Sequence, residues 1–226
     1  MQPRPDRSET TFLLLAGLFL AALVVCNLVA NKFVSLDLGF VRFDTLSVGI
    51  LPYPVTFLVT DIISEMYGRR RANSVVLVGF IASLFVLGVL LVGGALAAKP
   101  DTGVDDSAFN AVFGKSWRVV AASMSAYLAA QYLDVRLFHF WRRLTGGRHL
   151  WLRNNASTIF SQLIDTTLVV TVLFYGEWGA EKITGAVLDA WKFKLLCALA
   201  DTPLIYLAVW AFRRWVPEQA AAADGD

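Results

Sequence analysis

The chain has 226 residues, of which 57% are hydrophobic and 17% charged, with a net charge of +2 and a mean hydropathy of +0.58. That apolar share lies well above the roughly 45–50% of soluble domains and excludes an ordinary soluble fold. The net charge says little by itself, and no nucleic-acid partner is expected; the two cysteines, Cys26 and Cys197, fall inside apolar runs without histidine neighbours, so neither a disulfide framework nor a metal site is expected.

Runs of about 18 to 25 apolar residues read as membrane spans, because in lipid only a closed helix satisfies its own backbone hydrogen bonds. Six such runs occur, at approximately 11–31, 48–67, 74–97, 117–138, 156–175 and 191–212. The sequence therefore predicts an all-α integral membrane protein, a six-transmembrane-helix bundle. Its expected organisation is an N-terminal tail over 1–10, the helical domain over 11–214 and a C-terminal tail over 215–226. The first run is longer than the 7–15 apolar residues of a cleavable signal and ends in polar residues, so it reads as a span.

Between the runs, arginines collect at alternate ends: Arg4 and Arg7, then Arg69 to Arg71, then Arg142, Arg143, Arg148 and Arg153, then Arg213 and Arg214. The positive-inside rule places these, and with them both termini, on the cytoplasmic side. Loops 32–47, 98–116 and 176–190 then lie outside, with Asp189 in the last of them. The Arg69–Arg71 run reads first as a topology anchor and second as a phosphate or lipid site.

Taken in chain order, the first run ends with Asn27 and Asn31, placed either to line an entrance or to cap a helix. The second, within "PYPVTFLVTDIISEMYGRRR", carries Asp61 and Glu65 at i,i+4 with Thr60 and Ser64 beside them, one polar stripe on a helix. Pro52 and Pro54 interrupt its outer end, either to free backbone groups for a substrate or as a packing kink. Glycines of the third run, including Gly79, Gly88, Gly93 and Gly94, are expected to permit close helix packing. The fourth and fifth runs repeat Gln-x-x-Asp, as Gln131/Asp134 and Gln162/Asp165, with amide and carboxyl on one face; the sixth carries Asp201.

At about 1.5 Å per residue, Asp61 and Asp134 lie roughly 12 Å from the inner arginines and Asp165 and Asp201 roughly 18 Å, near the middle of a core about 30 Å thick. A charge at that depth costs at least a few kcal/mol on insertion scales, so the four are expected to face the bundle interior or water. Helix-to-helix hydrogen bonding is the other reading of each. By the same rise, Lys192 and Lys194 lie about 30 Å from Arg213 and are expected to snorkel at the outer surface.

No phosphate-binding GxxxxGK[ST] loop, G-x-S-x-G elbow or H-E-x-x-H helix occurs, so the expected protein is a permease or binding protein and not an enzyme. The segments "VCNLVANKFV", "LPYPVTFLVTDIISEMYGRRRA", "SQLIDTTL" and "ALADTPLIY" resemble the signature segments of the queuosine precursor transporters, also called the vitamin uptake transporter family, over residues 20 to 207. The likeness departs in loop 98–116 and in the arginine-rich inner loop. It implies an inner-membrane importer of 7-deazaguanine bases, the cyano precursor and its aminomethyl derivative, for queuosine modification of tRNA. The partners so implied are the small-molecule base and the lipid bilayer, with homo-oligomerisation allowed and no cofactor.

The chemistry suits such a base. Its N1–H and exocyclic amine lie side by side for a carboxylate to accept bidentately, Gln131 or Gln162 can serve its carbonyl edge, and Tyr53, Phe57 or Tyr206 can stack on its ring. Candidate binding residues are thus Tyr53, Thr60, Asp61, Glu65, Gln131, Asp134, Gln162, Asp165, Asp201 and Tyr206, and the sequence does not choose among the four aspartates. A secondary transporter is the first expectation; a binding subunit that needs a separate ATPase is the alternative.

Overall fold

The computed structural model describes residues 7–100, 103–145 and 150–215 and is mostly helical. Helix α1 spans Arg7–Leu28, α2 Tyr53–Tyr67, α3 Arg69–Ala95, α4 Asp106–Phe113, α5 Ser116–Leu144, α6 Leu150–Phe174 and α7 Ala180–Trp215. Every expected apolar run falls largely within a long helix. By length and hydropathy, Arg7–Leu28, Val48–Tyr67 and Arg70–Ala95 are able to cross a membrane, and Ile159–Phe174 is a shorter apolar stretch. In α5, α6 and α7 charged residues such as Asp134, Asp165 and Lys194 interleave with the apolar ones and lower the local hydropathy.

Packing divides the long helices into two sets of three. In one, Phe19 of α1, Val59 and Ile63 of α2 and Ala72 and Val75 of α3 form a buried cluster. In the other, Val119 and Ala122 of α5 meet Val170, Leu173 and Phe174 of α6 and Ala186 and Val187 of α7. Gly79 lets α1 approach α3, since a Cβ there would stand 2.7 Å from Phe19 and 2.8 Å from Leu23. The expected packing role holds at this glycine, whereas Gly88 has open space around it.

The connection after α1 is an element that the run lengths did not signal. Strands β1 (Phe33–Asp37) and β2 (Arg42–Ser47) pair antiparallel with an irregularity between Val34 and Leu36. A 3₁₀ turn, Val48–Ile50, follows. Ser47 holds this junction by donating to the Ala30 carbonyl at 2.7 Å and accepting from the Gly49 amide at 3.1 Å. Gly49 is required, because a side chain would run into the carbonyl oxygen of Cys26 and lie 2.9 Å from the Ala30 Cα. Pro52 then caps α2 and Pro54 sits in its first turn, where a missing N–H costs nothing. The two prolines start a helix, and neither frees backbone within it.

The three connections expected outside do gather at one end. Phe33 packs edge-on to Phe174 and Trp178 with centroids at 5.1 and 4.9 Å. Asn31 donates to the Val112 carbonyl at 3.4 Å. Asn27, by contrast, donates to Ser83 Oγ at 3.3 Å and joins α1 to α3. At the other end Gly68, with φ of +83°, turns α2 sharply into α3. There Arg71 pairs with Glu9 at 2.8 Å and Tyr67 donates to the Ser8 carbonyl at 2.9 Å.

Glu177 closes the first end as a two-cation clamp. Its carboxylate accepts from Lys115 Nζ at 2.6 Å and from Arg118 Nη1 at 2.9 Å. The bond from Lys115, with the charges of both cations, holds the carboxyl below its ordinary value of 4.5 against the opposing effect of desolvation. A depressed carboxyl stabilises the fold fully above the unfolded pKa and loses that contribution as pH falls through the folded one. Glu177→Gln is therefore expected to lower the thermal midpoint only slightly at pH 7, since exposed ion pairs contribute little, with the two proteins converging as pH falls below 4.5. Thermal unfolding in detergent across that range checks it.

Candidate functional site

Where α2, α6 and α7 meet, four polar side chains come together. Lys194 Nζ lies 2.6 Å from Asp165 Oδ2, and their side chains are only 9% and 13% exposed. The same ammonium stands 4.4 Å from the centroid of the Tyr53 ring. The Tyr53 hydroxyl donates to Gln162 Oε1 at 3.4 Å, and Phe57 packs edge-on against Tyr53 with centroids 4.5 Å apart.

Local structure explains this convergence. Gln162 and Asp165 are three residues apart on α6 and so share the face that meets α2 and α7. Thr166 beside them is buried and returns its hydroxyl to the Gln162 carbonyl at 2.8 Å, which leaves the polar work on that face to the amide and the carboxylate. Tyr53 is placed by its position in the first turn of α2 and by the cluster of Phe43, Leu46, Ile50 and Ala190 against which it packs.

Lys194 corrects the sequence reading, which set it at the outer surface. Counting about 1.5 Å per residue from Arg213 gives a distance along α7 alone and does not show which helices pack beside it. Lys194 lies within the bundle, where its stem reaches Asp165. Lys192, with 51% of its side chain exposed, does remain near the surface. Asp189, expected in an outer loop, is another correction: it is part of α7, and its carboxylate accepts from the backbone amides of Asp44 at 2.8 Å and Thr45 at 3.0 Å.

Of the other candidates, Thr60 directs its hydroxyl to the carbonyls of Thr56 at 2.9 Å and Phe57 at 3.0 Å. Asp61 and Glu65 lie on a face of α2 that this chain leaves exposed. Tyr206 is 75% exposed on α7 and so stands apart from the Tyr53 cluster. Asp201 precedes Pro203, whose ring removes the N–H that would bond the Leu199 carbonyl. The side chains of Gln131, Asp134 and Asp201 lie outside the described residues. Among the described residues no group of three or more His, Cys, Asp or Glu is placed to hold a metal ion.

The resulting arrangement is an enclosed carboxylate with a countercharge, an amide and an aromatic face, chemistry suited to a flat, polar, hydrogen-bonding molecule. A family model described as "Putative vitamin uptake transporter" matches residues 47–208. The chain is 32% identical to the "Probable queuosine precursor transporter" of Bacillus subtilis (strain 168) over 165 residues, 73% of this chain and 72% of the relative. It is 30% identical to the "Queuosine precursor transporter" of Escherichia coli (strain K12) over 65% of this chain and 62% of that protein. A Haemophilus influenzae protein, also "Probable queuosine precursor transporter", is 28% identical over 56% of this chain and 51% of its own length. No solved structure matches the chain.

Proposed function

We propose that this chain, which belongs to the vitamin uptake transporter family of queuosine precursor transporters, imports 7-deazaguanine bases across the inner membrane as a secondary transporter. The cyano precursor and its aminomethyl derivative are the proposed cargo, for salvage into tRNA queuosine. The observation that carries the reading is the pairing of this family membership with a carboxylate, Asp165, enclosed among helices beside Gln162 and Tyr53. Asp165 accepts the two adjacent N–H groups of the base, and Tyr53 offers its ring. Asp134, Asp201 and Gln131 line the route in this reading, with Thr60 beside them, and Asp61, Glu65 and Tyr206 serve its approach from faces that this chain leaves exposed.

Uptake of labelled base by the purified chain alone in liposomes tests it. Accumulation without any added protein supports the secondary transporter. Dependence on an added ATPase would transfer the protein to the class of binding subunits, and recovery of chemically altered base would make it an enzyme.

Six crossings with both termini inside complete the proposal, supported by the arginine asymmetry and by the clustering of connections 29–52, 96–115 and 175–179 at one end. Reporter fusions at Asp105 and Glu181 are expected to read outside and one at Arg148 inside. The opposite reading at any of the three breaks this topology.

A further inference from the structure

A buried ion pair is a weak way to hold two helices together, since desolvating both charges offsets most of their attraction and an apolar pair of similar volume does as well or better. The pair between Lys194 and Asp165 nevertheless sits inside the bundle, at 2.6 Å and with both side chains largely covered. Its ammonium also stands over the Tyr53 ring, on an aromatic face that a planar base needs for stacking. A base stacked on that face and a lysine lying over it compete for one space.

The donor and acceptor pattern is the second observation. A carboxylate offers two acceptors side by side and an ammonium offers only donors. Set together, as Lys194 and Asp165 are, they present donor, acceptor, acceptor. A guanine-type edge carries the complementary order: the ring carbonyl accepts, and N1–H and the exocyclic amine donate. Lys194 also has the mobility that the exchange needs, because its charge rides on a flexible four-carbon stem, whereas Asp165 is held close to its helix.

Resting on the base-import reading above, we infer that Lys194 is a tethered counter-ion which the incoming base displaces from Asp165, its ammonium then donating to the ring carbonyl of the base. The empty site is thereby kept neutral by the protein itself. The bound site reads a guanine-type edge at all three positions, and the base carbonyl goes to Lys194 in place of the amide of Gln162. Lys194 is thus a binding residue that determines specificity.

The test compares a 7-cyano-7-deazaguanine with its analogue lacking the ring carbonyl oxygen, binding of each measured on the purified full chain and on Lys194→Met and Lys194→Gln. In the unaltered protein the carbonyl-bearing base should bind about 10- to 100-fold more tightly, the range of one charge-assisted hydrogen bond. In Lys194→Met that preference should collapse to within about threefold, and Lys194→Gln, which keeps neutral donors, should fall between. Equal binding of the two bases by the unaltered protein overturns the inference without recourse to any variant, which guards against a Lys194→Met protein that fails to fold. A full preference retained in Lys194→Met overturns it as well. Failure of the unaltered protein to bind either base would instead remove the base-import reading, and this inference with it.

Discussion

Asp165→Ala should abolish uptake and, at the same time, be among the most destabilising single substitutions in the protein. The Lys194 side chain is 9% exposed in the unaltered protein, so removing the carboxylate leaves its ammonium largely enclosed without its bonded countercharge. Removing one partner of a buried pair costs about 3–5 kcal/mol, because the remaining charge keeps its desolvation penalty and loses the compensation. The cation–π contact with Tyr53 returns only about 1–2 kcal/mol of that. The double substitution Asp165→Ala with Lys194→Met should recover most of the stability and none of the uptake, since it removes the stranded charge together with the acceptor for the base. Thermal unfolding of the two variants and the unaltered protein in detergent, beside uptake in vesicles, separates the two effects. A double variant as unstable as Asp165→Ala would show that packing, and not the unpaired charge, sets the cost.

The helices were legible because hydropathy and length are properties of contiguous sequence. The six apolar runs each became a long helix, and the Gln162-x-x-Asp165 spacing correctly put both side chains on one face. What escaped was long-range. Distance counted along α7 from Arg213 cannot show that Lys194 packs against Asp165 of α6, 29 residues away in sequence. The β-hairpin escaped for a similar reason: "FVSLD" and "RFDTLS" are too short and too mixed to declare themselves, and their pairing is reinforced by Asp189, 145 residues beyond Asp44. Asp189 did carry one signal, an acid bounded by Val187, Leu188 and Ala190 in an otherwise apolar stretch. A carboxylate there asks for donors, and the sequence alone does not say that they are backbone amides.

Asp189 carries the second large effect. Its Oδ2 accepts from two successive amides of β2, at Asp44 and Thr45, and Lys192 stands 3.8 Å from its other oxygen. Hydrogen bonds to a charged group contribute about 1.5–3 kcal/mol each, of which amides as partly exposed as these recover a share from water. Asp189→Ala is therefore expected to destabilise the fold by about 2–4 kcal/mol, with Asp189→Asn between it and the unaltered protein because the amide oxygen still accepts without the charge. The consequence should extend to the candidate site. Phe43 and Leu46 of the same strand are fully buried against Ala190, with Tyr53 and Phe193 packed around them, so a loosened hairpin loosens the wall that sets the Tyr53 ring. Weaker apparent affinity for the base with little change in the amount of inserted protein is the expected transport phenotype. Hydrogen exchange checks the structural half directly: the amides of Asp44 and Thr45 should lose protection in Asp189→Ala while those in the middle of α1 and α3 keep theirs. Protection unchanged at both amides would mean that strand pairing and the Phe43 and Leu46 packing hold the hairpin without the carboxylate.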